Sequence, residues 1–331
     1  MKVIALCNRG GWHVTDLSRA ALARGDAFAA VSWRELVGPL LDGAPAATAQ
    51  QVAVDQADLV LLRTMPPGTL EQIVFRMDLL NLLTERGVRV LNAPRAVEAA
   101  VDKFLCSARL RQARCPTPPT IACQRLDDAM LAFDQLGGDV VCKPLFGSEG
   151  FGIQRLADRA LAQRAFALLE RMGSVIYLQR YVDHGGCDLR LFVLDGQVIA
   201  AMRRTAGGGD WRTNIACGGA GEAMAPDAAL AALAVDSAAA CGAWVAGVDI
   251  ALDRAGQPWV LEVNAVPGWR ELARVTRIDI AAAVLAAAER TPLPTSRDRE
   301  GADCDAPLKP RTPLPDGRGS SIPTSHARSE R

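Results

Sequence analysis

Apolar and polar positions change rhythm along this chain. From Lys2 to about Glu98, short unbroken apolar runs alternate with stretches whose apolar residues recur every three or four positions. Val3-Ile4-Ala5-Leu6-Cys7, Leu59-Val60-Leu61-Leu62 and Val88-Arg89-Val90-Leu91 predict buried strands. Thr15 to Ala23 and Leu70 to Arg86 predict helices between them. Strands of this kind alternating with helices imply an open parallel sheet, α/β in class. Such sheets take ligands beyond the carboxyl ends of their strands. Those ends carry Asn8-Arg9-Gly10-Gly11 and Arg63-Thr64-Met65-Pro66-Pro67. Arg9 and Arg63 are placed to receive a carboxylate or phosphate, or they are solvated loop arginines; the pattern leaves both open.

From about Ala99 to Arg290 helices mix with antiparallel-looking strands, an α+β pattern. Ala228 to Cys241 is helical by propensity. Val248 to Leu252 and Trp259 to Val263 predict a hairpin whose turn contains Gly256. Leu272 to Glu289 reads as helical at its end, with Ala281 to Ala288 packing closely against a neighbour. Past Arg290 the pattern dissolves: 291–331 holds seven of the 19 prolines and no aromatic residue. Such a segment buries too little apolar surface to offset an ordering entropy of ~1–2 kcal/mol per residue, which predicts a disordered tail. The expected division is therefore 1–98, 99–290 and the tail 291–331.

Composition narrows the function. The 37 cationic and 37 anionic residues balance, which removes any global argument for a nucleic-acid or membrane-surface partner. No apolar run approaches the ~18 residues of a spanning helix. Val3 to Cys7 is too short for a signal peptide. Nine cysteines without C-x-x-C spacing, and three histidines, argue against a zinc or disulfide framework and for a reducing cytoplasm, with the cysteines as core fillers. Lysine is scarce: only Lys2, Lys103, Lys143 and Lys309 occur. Alanine-rich runs suggest a GC-rich genome, which favours arginine codons. Lys2 is terminal and Lys309 lies in the tail, so Lys103 and Lys143 alone sit in the predicted folded body. Lysine differs most from arginine where a point charge must touch one oxygen in a tight space.

Three constellations carry chemistry. Val140-Val141-Cys142-Lys143-Pro144 is a strand ending in lysine, followed by a loop with Gly147, Ser148, Gly150 and Gly152. Its glycines allow amide N–H groups to be aimed at phosphate oxygens, although a plain hairpin turn would use the same residues. Glu262 and Asn264 are two apart on one strand and share a face. With a four-residue loop at 254–257, Asp249 lies opposite Glu262, and the three make a hard oxygen site suited to Mg2+. A slip of one residue would send Asp249 to the other face. Arg190, Arg204 and Arg212 are available to neutralise a triphosphate; the alternative is a hairpin tip with solvated arginines.

Together, Lys103 in Val101-Asp102-Lys103-Phe104, Lys143 before its glycine loop, Gln179-Arg180-Tyr181 and the set Asp249, Glu262 and Asn264 resemble the ATP-grasp superfamily. More closely, the chain resembles RimK-type α-L-glutamate ligases over about Ala99 to Arg290. The resemblance implies an ATP-grasp fold behind an N-terminal open-sheet domain, with a central lid subdomain at about 115–180 and a catalytic part at about 181–290. It implies ATP contacts from Lys103 and Lys143, an adenine hinge at Gln179, Arg180 and Tyr181, and Asp188 at the ribose end. Arg212 and Asn214 would line the reaction centre with the arginines Arg190 and Arg204. Asp249, Glu262 and Asn264 would hold Mg2+ or Mn2+, as two ions. Relatives commonly have an acid where this chain has Arg180. The implied activity is ATP-dependent joining of L-glutamate to a carboxylate-bearing small molecule or peptide, through an acyl phosphate. The motifs Arg63 to Pro67 and Lys143 to Ser148 look closer to tetrahydromethanopterin:α-L-glutamate ligases than to enzymes extending a ribosomal protein. No nucleic-acid or membrane partner is expected, and the sequence leaves a homo-oligomer open. A silent ATP-binding regulator is the competing class, and its mark, a lost lysine or metal ligand, is missing here.

Overall fold

The computed structural model describes residues 1–8, 10–50, 52–147, 152–207, 211–213 and 219–290; among them the strands form three sheets of four or five strands and one two-stranded ladder. Arg9, Ser148, Gly150, Asn214 and the predicted tail 291–331 lie outside the described residues.

The first sheet is built from β1 (Lys2–Cys7), α1 (Trp12–Ala23), β2 (Ala27–Ser32), the short ladder of β3 (Thr48–Ala49) and β4 (Val52–Ala53), then β5 (Leu59–Leu62), α2 (Leu70–Glu85) and β6 (Arg89–Leu91). Its order is β2-β1-β5-β6 and every pairing is parallel. Val3 to Cys7 and all of β5 are buried because helices cover both faces, as the unbroken apolar runs required. Strand β2 is weakly signalled: Ala27 to Val31 is an apolar run, but three alanines give it low β propensity, and it forms a half-buried edge.

Next come α3 (Pro94–Val101), α4 (Lys103–Gln112), β7 (Thr120–Cys123), α5 (Leu126–Gln135), β8 (Val140–Lys143), β9 (Gln154–Leu156), α6 (Arg159–Arg171) and β10 (Ile176–Arg180). The four strands form an antiparallel sheet, β7-β10-β8-β9, with α5 and α6 supplying its core through Phe133 and Phe166. The largest sheet, β13-β12-β11-β14-β15, contains β11 (Cys187–Leu194), β12 (Gln197–Thr205), β13 (Ala220–Ala223), β14 (Val245–Leu252) and β15 (Pro258–Asn264). The alanine-rich α7 (Ala228–Ala240) and α4 share a core with one of its faces.

The chain ends its described course in α8 (Arg270–Thr276) and α9 (Ile280–Arg290). The helical end expected of 272–289 is α9, and α8 stops before it because Arg277 takes a left-handed conformation, φ 61°. The close packing expected of Ala281 to Ala288 is satisfied by the N-terminal sheet. Ile280, Val284 and Leu285 of α9 join Val3, Leu59 and Leu61 in one core. Asn92, following β6, is 2% exposed and ties this sheet to the largest one. Its Nδ2 donates to the carbonyls of Val245 (2.6 Å) and Ala265 (2.5 Å), and its Oδ1 accepts from the amides of Trp244 (2.8 Å) and Val245 (2.9 Å). Every hydrogen-bonding position of that amide is filled. The described cysteines form no disulfide, and most are buried. Among the described residues no helix is long and apolar enough to cross a membrane.

Candidate active site

A cleft of about 830 Å3, including its open mouth, lies between the second and third sheets. Of the residues singled out in the sequence, Lys103, Lys143, Gly147, Gln179, Arg180, Tyr181, Asp188, Arg204, Arg212, Asp249 and Glu262 line it. Arg190, Gly152 and Asn264 are not among its lining residues.

The two lysines arrive from different elements. Asp102 caps α4, its carboxylate accepting from the amides of Phe104 and Leu105, so Lys103 opens the helix. Its Nζ donates to the Gly147 carbonyl at 2.8 Å. Lys143 ends β8, and its Nζ donates to Gln179 Oε1 at 2.6 Å. Gln179 is in turn held by its Nε2, which donates to Thr120 Oγ1 at 3.2 Å. Burial pushes the Lys143 ammonium down to about 8, with Glu262 opposing and Lys103 adding to the shift. The glycine loop is anchored past the lysine: Gly152 has φ +73°, and a Cβ there would meet Pro144 Cγ at 2.8 Å.

The carboxylates face the lysines from the β14–β15 hairpin. Asp249 does pair with Glu262, but by another route than a four-residue loop. The ladder closes as Leu252↔Pro258 and runs to Ile250↔Val260. An extra residue, Leu261, then shifts the register so that Asp249 meets Glu262 and Gly247 meets Asn264. The bulge bends β15 and turns two successive side chains, Leu261 and Glu262, into the cleft.

Two arginines expected on phosphate are committed elsewhere. Arg190 is the cross-strand partner of Asp249, and both its Nε and Nη2 donate to that carboxylate, the latter at 2.7 Å. Arg204 donates to both oxygens of Asp188, at 2.8 and 2.6 Å, and its Nη2 lies 2.9 Å from Asp249 Oδ2. The result is an alternating chain, Arg190–Asp249–Arg204–Asp188, of zero net charge. Burial alone would raise the Asp249 carboxyl, but the Arg190 and Arg204 guanidiniums outweigh it and hold it below the usual carboxylate range. Asp188 is thus paired with Arg204 through both oxygens while it still lines the cleft. Arg204 keeps Nη1 for the cleft.

The expected hinge has a distinctive backbone edge. Arg180 N donates to Pro119 O (2.8 Å) and Tyr181 N to Asp139 O (3.0 Å). Proline has no N–H to return, so Pro119 leaves the Arg180 carbonyl without a ladder bond from that side. The Val182 amide has no hydrogen bond among the described residues. An acceptor and a donor thus stand two residues apart at the cleft. The side chain of Arg180 lies over the Trp259 ring, 5.4 Å from its centroid, so the missing acid leaves this edge intact.

Sequence reasoning missed the apolar wall of Val141, Ile153, Val182 and Leu261, and the nearby His184, Trp211 and Thr213. Val141 was findable, being two before Lys143 on the same strand face. Leu261 was not, because its orientation depends on the bulge. Trp211 meets Tyr181 edge to face at 5.9 Å, a contact across irregular chain that no pattern announces.

The donor set fits a hard divalent cation. Among the described residues no three His, Cys, Asp or Glu side chains form a metal cage. A cation here would lean on the half-buried Glu262, which has no hydrogen-bond partner among the described residues, on the remaining lone pair of Asp249 Oδ1, and on Asn264 Oδ1, which accepts from Val266 N at 2.9 Å. Phosphate and water oxygens would complete the shell.

Comparison with known proteins points the same way. Residues 100–288 match a family profile described as the RimK-like ATP-grasp domain. A tetrahydromethanopterin:alpha-L-glutamate ligase of Methanosarcina acetivorans is 32% identical over 214 residues, 61% of this chain and 65% of that one. Its counterpart in Methanococcus maripaludis is 35% identical over 215 residues, 63% of this chain and 72% of that one. The chain spans just under two thirds of the first relative's length. Among solved structures, the ATP-grasp ligase PsnB complexed with minimal precursor, Mg and ADP superposes with a TM-score of 0.67 at 22% identity, covering 87% of this chain and 98% of that one; this likeness speaks to the fold alone.

Proposed function

The chain belongs to the RimK-like ATP-grasp family, and from that premise we propose that it is an ATP- and Mg2+-dependent ligase joining a carboxylate to the amine of L-glutamate. The observation that carries the reading is convergence: the two body lysines and the carboxylates of Asp249 and Glu262 face one another across a single cleft. Lys103 and Lys143 bind ATP phosphates. The Arg180 carbonyl and Val182 amide match the amine and ring-nitrogen edge of adenine, with Gln179 and Tyr181 on either side of it. Gly147 and Gly152 flank the phosphates from the two ends of the glycine loop, and the expectation for Ser148 and Gly150 lies outside the described residues.

A carboxylate resists amines because its leaving group would be oxide. Moving the γ-phosphoryl of ATP onto the carboxylate breaks the bond from γ-phosphorus to the bridging oxygen, releases ADP and gives an acyl phosphate. The glutamate nitrogen then bonds the carbonyl carbon, phosphate leaves with the C–O electrons, and the amine proton passes to solvent. Asp249, Glu262 and Asn264 would hold Mg2+, which when bound neutralises charge on the phosphates. Arg212 and Asn214 stabilise the oxyanion. Arg190 and Arg204 act one step back, by holding Asp249. No protein nucleophile is required.

The acceptor we favour is a reduced pterin of the tetrahydromethanopterin type, on the names of the two relatives. The test is ADP release by purified protein with ATP, Mg2+ and L-glutamate across reduced pterins and peptides with free carboxylates. ADP release that needs both acceptor and glutamate, with a glutamylated product by mass, is expected. If ATP binds but no acceptor raises ADP above background, the silent regulator replaces the ligase.

ATP binding should also move a proton. Free Lys143 has lost part of its charge near pH 8, and phosphates arriving beside it favour the charged form. Calorimetry in two buffers of unlike ionisation enthalpy should show uptake of up to about one proton at pH ~8.5 and almost none at pH ~6.5. Equal uptake at both values would remove Lys143 from the phosphates.

A further inference from the structure

The segment after Asn264 is gripped by the N-terminal sheet at every second residue. The Ala265 carbonyl accepts from Asn92 Nδ2 at 2.5 Å, the Pro267 carbonyl from Arg63 Nη2 at 2.8 Å, and the Trp269 amide donates to His13 Nε2 at 2.9 Å. Asn92 follows β6, Arg63 follows β5, and His13 lies in the first turn after β1. These are the carboxyl ends of the adjacent strands β1, β5 and β6, where an open sheet ordinarily receives a ligand. Here they receive a piece of their own chain.

Asn92 also bonds Trp244 and Val245, but Arg63 and His13 are given over to the grip. Arg63 is 7% exposed and, among the described residues, has no carboxylate partner and makes that single hydrogen bond. Its guanidinium lies 4.3 Å over the Trp269 ring, and its Nε is buried without a partner. The His13 ring meets Trp269 edge to face at 4.9 Å, and Trp269 Nε1 donates to Asp16. Burial and the Arg63 charge push His13 down to about 4, so it stays neutral and keeps its acceptor lone pair. Between the gripped carbonyls lies Val266, whose amide donates to Asn264 Oδ1 and sets that side chain's direction. On the facing strand Gly247 has no Cβ; one there would come within 3.0 Å of Pro267 Cβ and of Arg190 Nη1.

We propose that Arg63, His13 and Asn92 are positioning residues that hold the 265–269 segment so that Asn264 presents its oxygen beside Glu262 and Asp249. The inference rests on the metal reading of those three residues and extends it to the N-terminal sheet. That sheet would be a jig for the metal ligands as well as a neighbour of the substrate. A plain docking contact would cost stability when cut and leave metal affinity alone. A jig would loosen the metal in protein that is still folded.

The experiment measures Mn2+ binding in the presence of ADP, from the electron paramagnetic resonance signal of free Mn2+, with no turnover involved. Arg63→Met keeps the apolar stem on Trp269 and loses the bond to Pro267. It should bind Mn2+ about three- to tenfold more weakly, the range expected of one lost hydrogen bond. Its affinity for ADP without metal should equal wild type. Arg63→Lys, which keeps a donor, should fall between the two. His13→Ala, at a half-buried position, should weaken Mn2+ in the same direction and decides the matter alone if Arg63→Met does not fold. Glu262→Gln is the control for the metal site itself. If Glu262→Gln weakens Mn2+ while folded Arg63→Met or His13→Ala binds it as wild type does, the segment is an anchor and the proposal is overturned. If Glu262→Gln also binds Mn2+ as wild type does, the metal reading fails and takes the proposal with it.

Discussion

Lys143→Met should lower ligation by roughly three orders of magnitude, the scale seen when a preorganised charge is withdrawn from a developing anion, while the protein stays folded. The side chain ends β8, and among the described residues its ammonium bonds only to a neutral amide oxygen, Gln179 Oε1. Folding therefore gains little from the charge. The direction of its shift says that folding is opposed by it: the value falls from 10.5 to about 8 because burial penalises the ammonium. Between those two values the unfolded chain binds more protons than the folded one, so this group makes the ligand-free protein more stable as pH rises through that window. Below about pH 8 the penalty is fully present. Methionine removes it, so the melting temperature of Lys143→Met at neutral pH should match or exceed wild type, and the rise with pH should be reduced. ADP release within tenfold of wild type would end the assignment.

Asp249→Asn should do the opposite, harming stability as heavily as activity. The substitution keeps the shape and removes the one anion between Arg190 and Arg204, leaving Asp188 to face two buried cations. Breaking a buried ion pair from one side costs about 3–5 kcal/mol, which at about 2–4 °C per kcal/mol lowers the melting temperature by roughly 6–20 °C. The carboxyl is held below 3.8, so its contribution is present above that value and lost as the pH falls through its folded value. Removing the neighbouring charge as well should recover part of the loss. The double variant Asp249→Leu with Arg190→Leu should melt above Asp249→Asn, since an apolar pair avoids the stranded cation. If Asp249→Asn melts as wild type does, the alternating chain is not what holds these strands.

Most of what was legible in the sequence depends on short-range periodicity. The buried runs of β1 and β5 announced a covered parallel sheet, and Lys143 stood out because arginine had displaced lysine almost everywhere else. The relation of Glu262 to Asn264 follows from the two-residue repeat of a strand. What could not be read depends on partners far apart in the chain. Arg190 and Arg204 look like phosphate ligands until the sheet sets them beside Asp249 and Asp188, 59 and 16 residues away. Asn92 and Arg63 look like ordinary loop residues until the fold brings Ala265 and Pro267 to them. The stop of α8 at Arg277 depends on a single left-handed residue, which propensity does not foresee.

The extra residue at Leu261 also divides the hairpin into two regions with different tolerance for change in length. Beyond it, residues 253–257 form an exposed tip whose ladder already runs out of step with the base. Insertions or deletions there disturb the turn bonds of Asp253 and the Arg254–Asp183 pair, and the bulge separates them from the register of the base. Between Leu261 and Asn264 the spacing has no slack, and one residue more or less would turn Glu262 into the opposite face of the sheet. Drift in loop length across such a family can accumulate at the tip, while three residues nearer the base keep a fixed count.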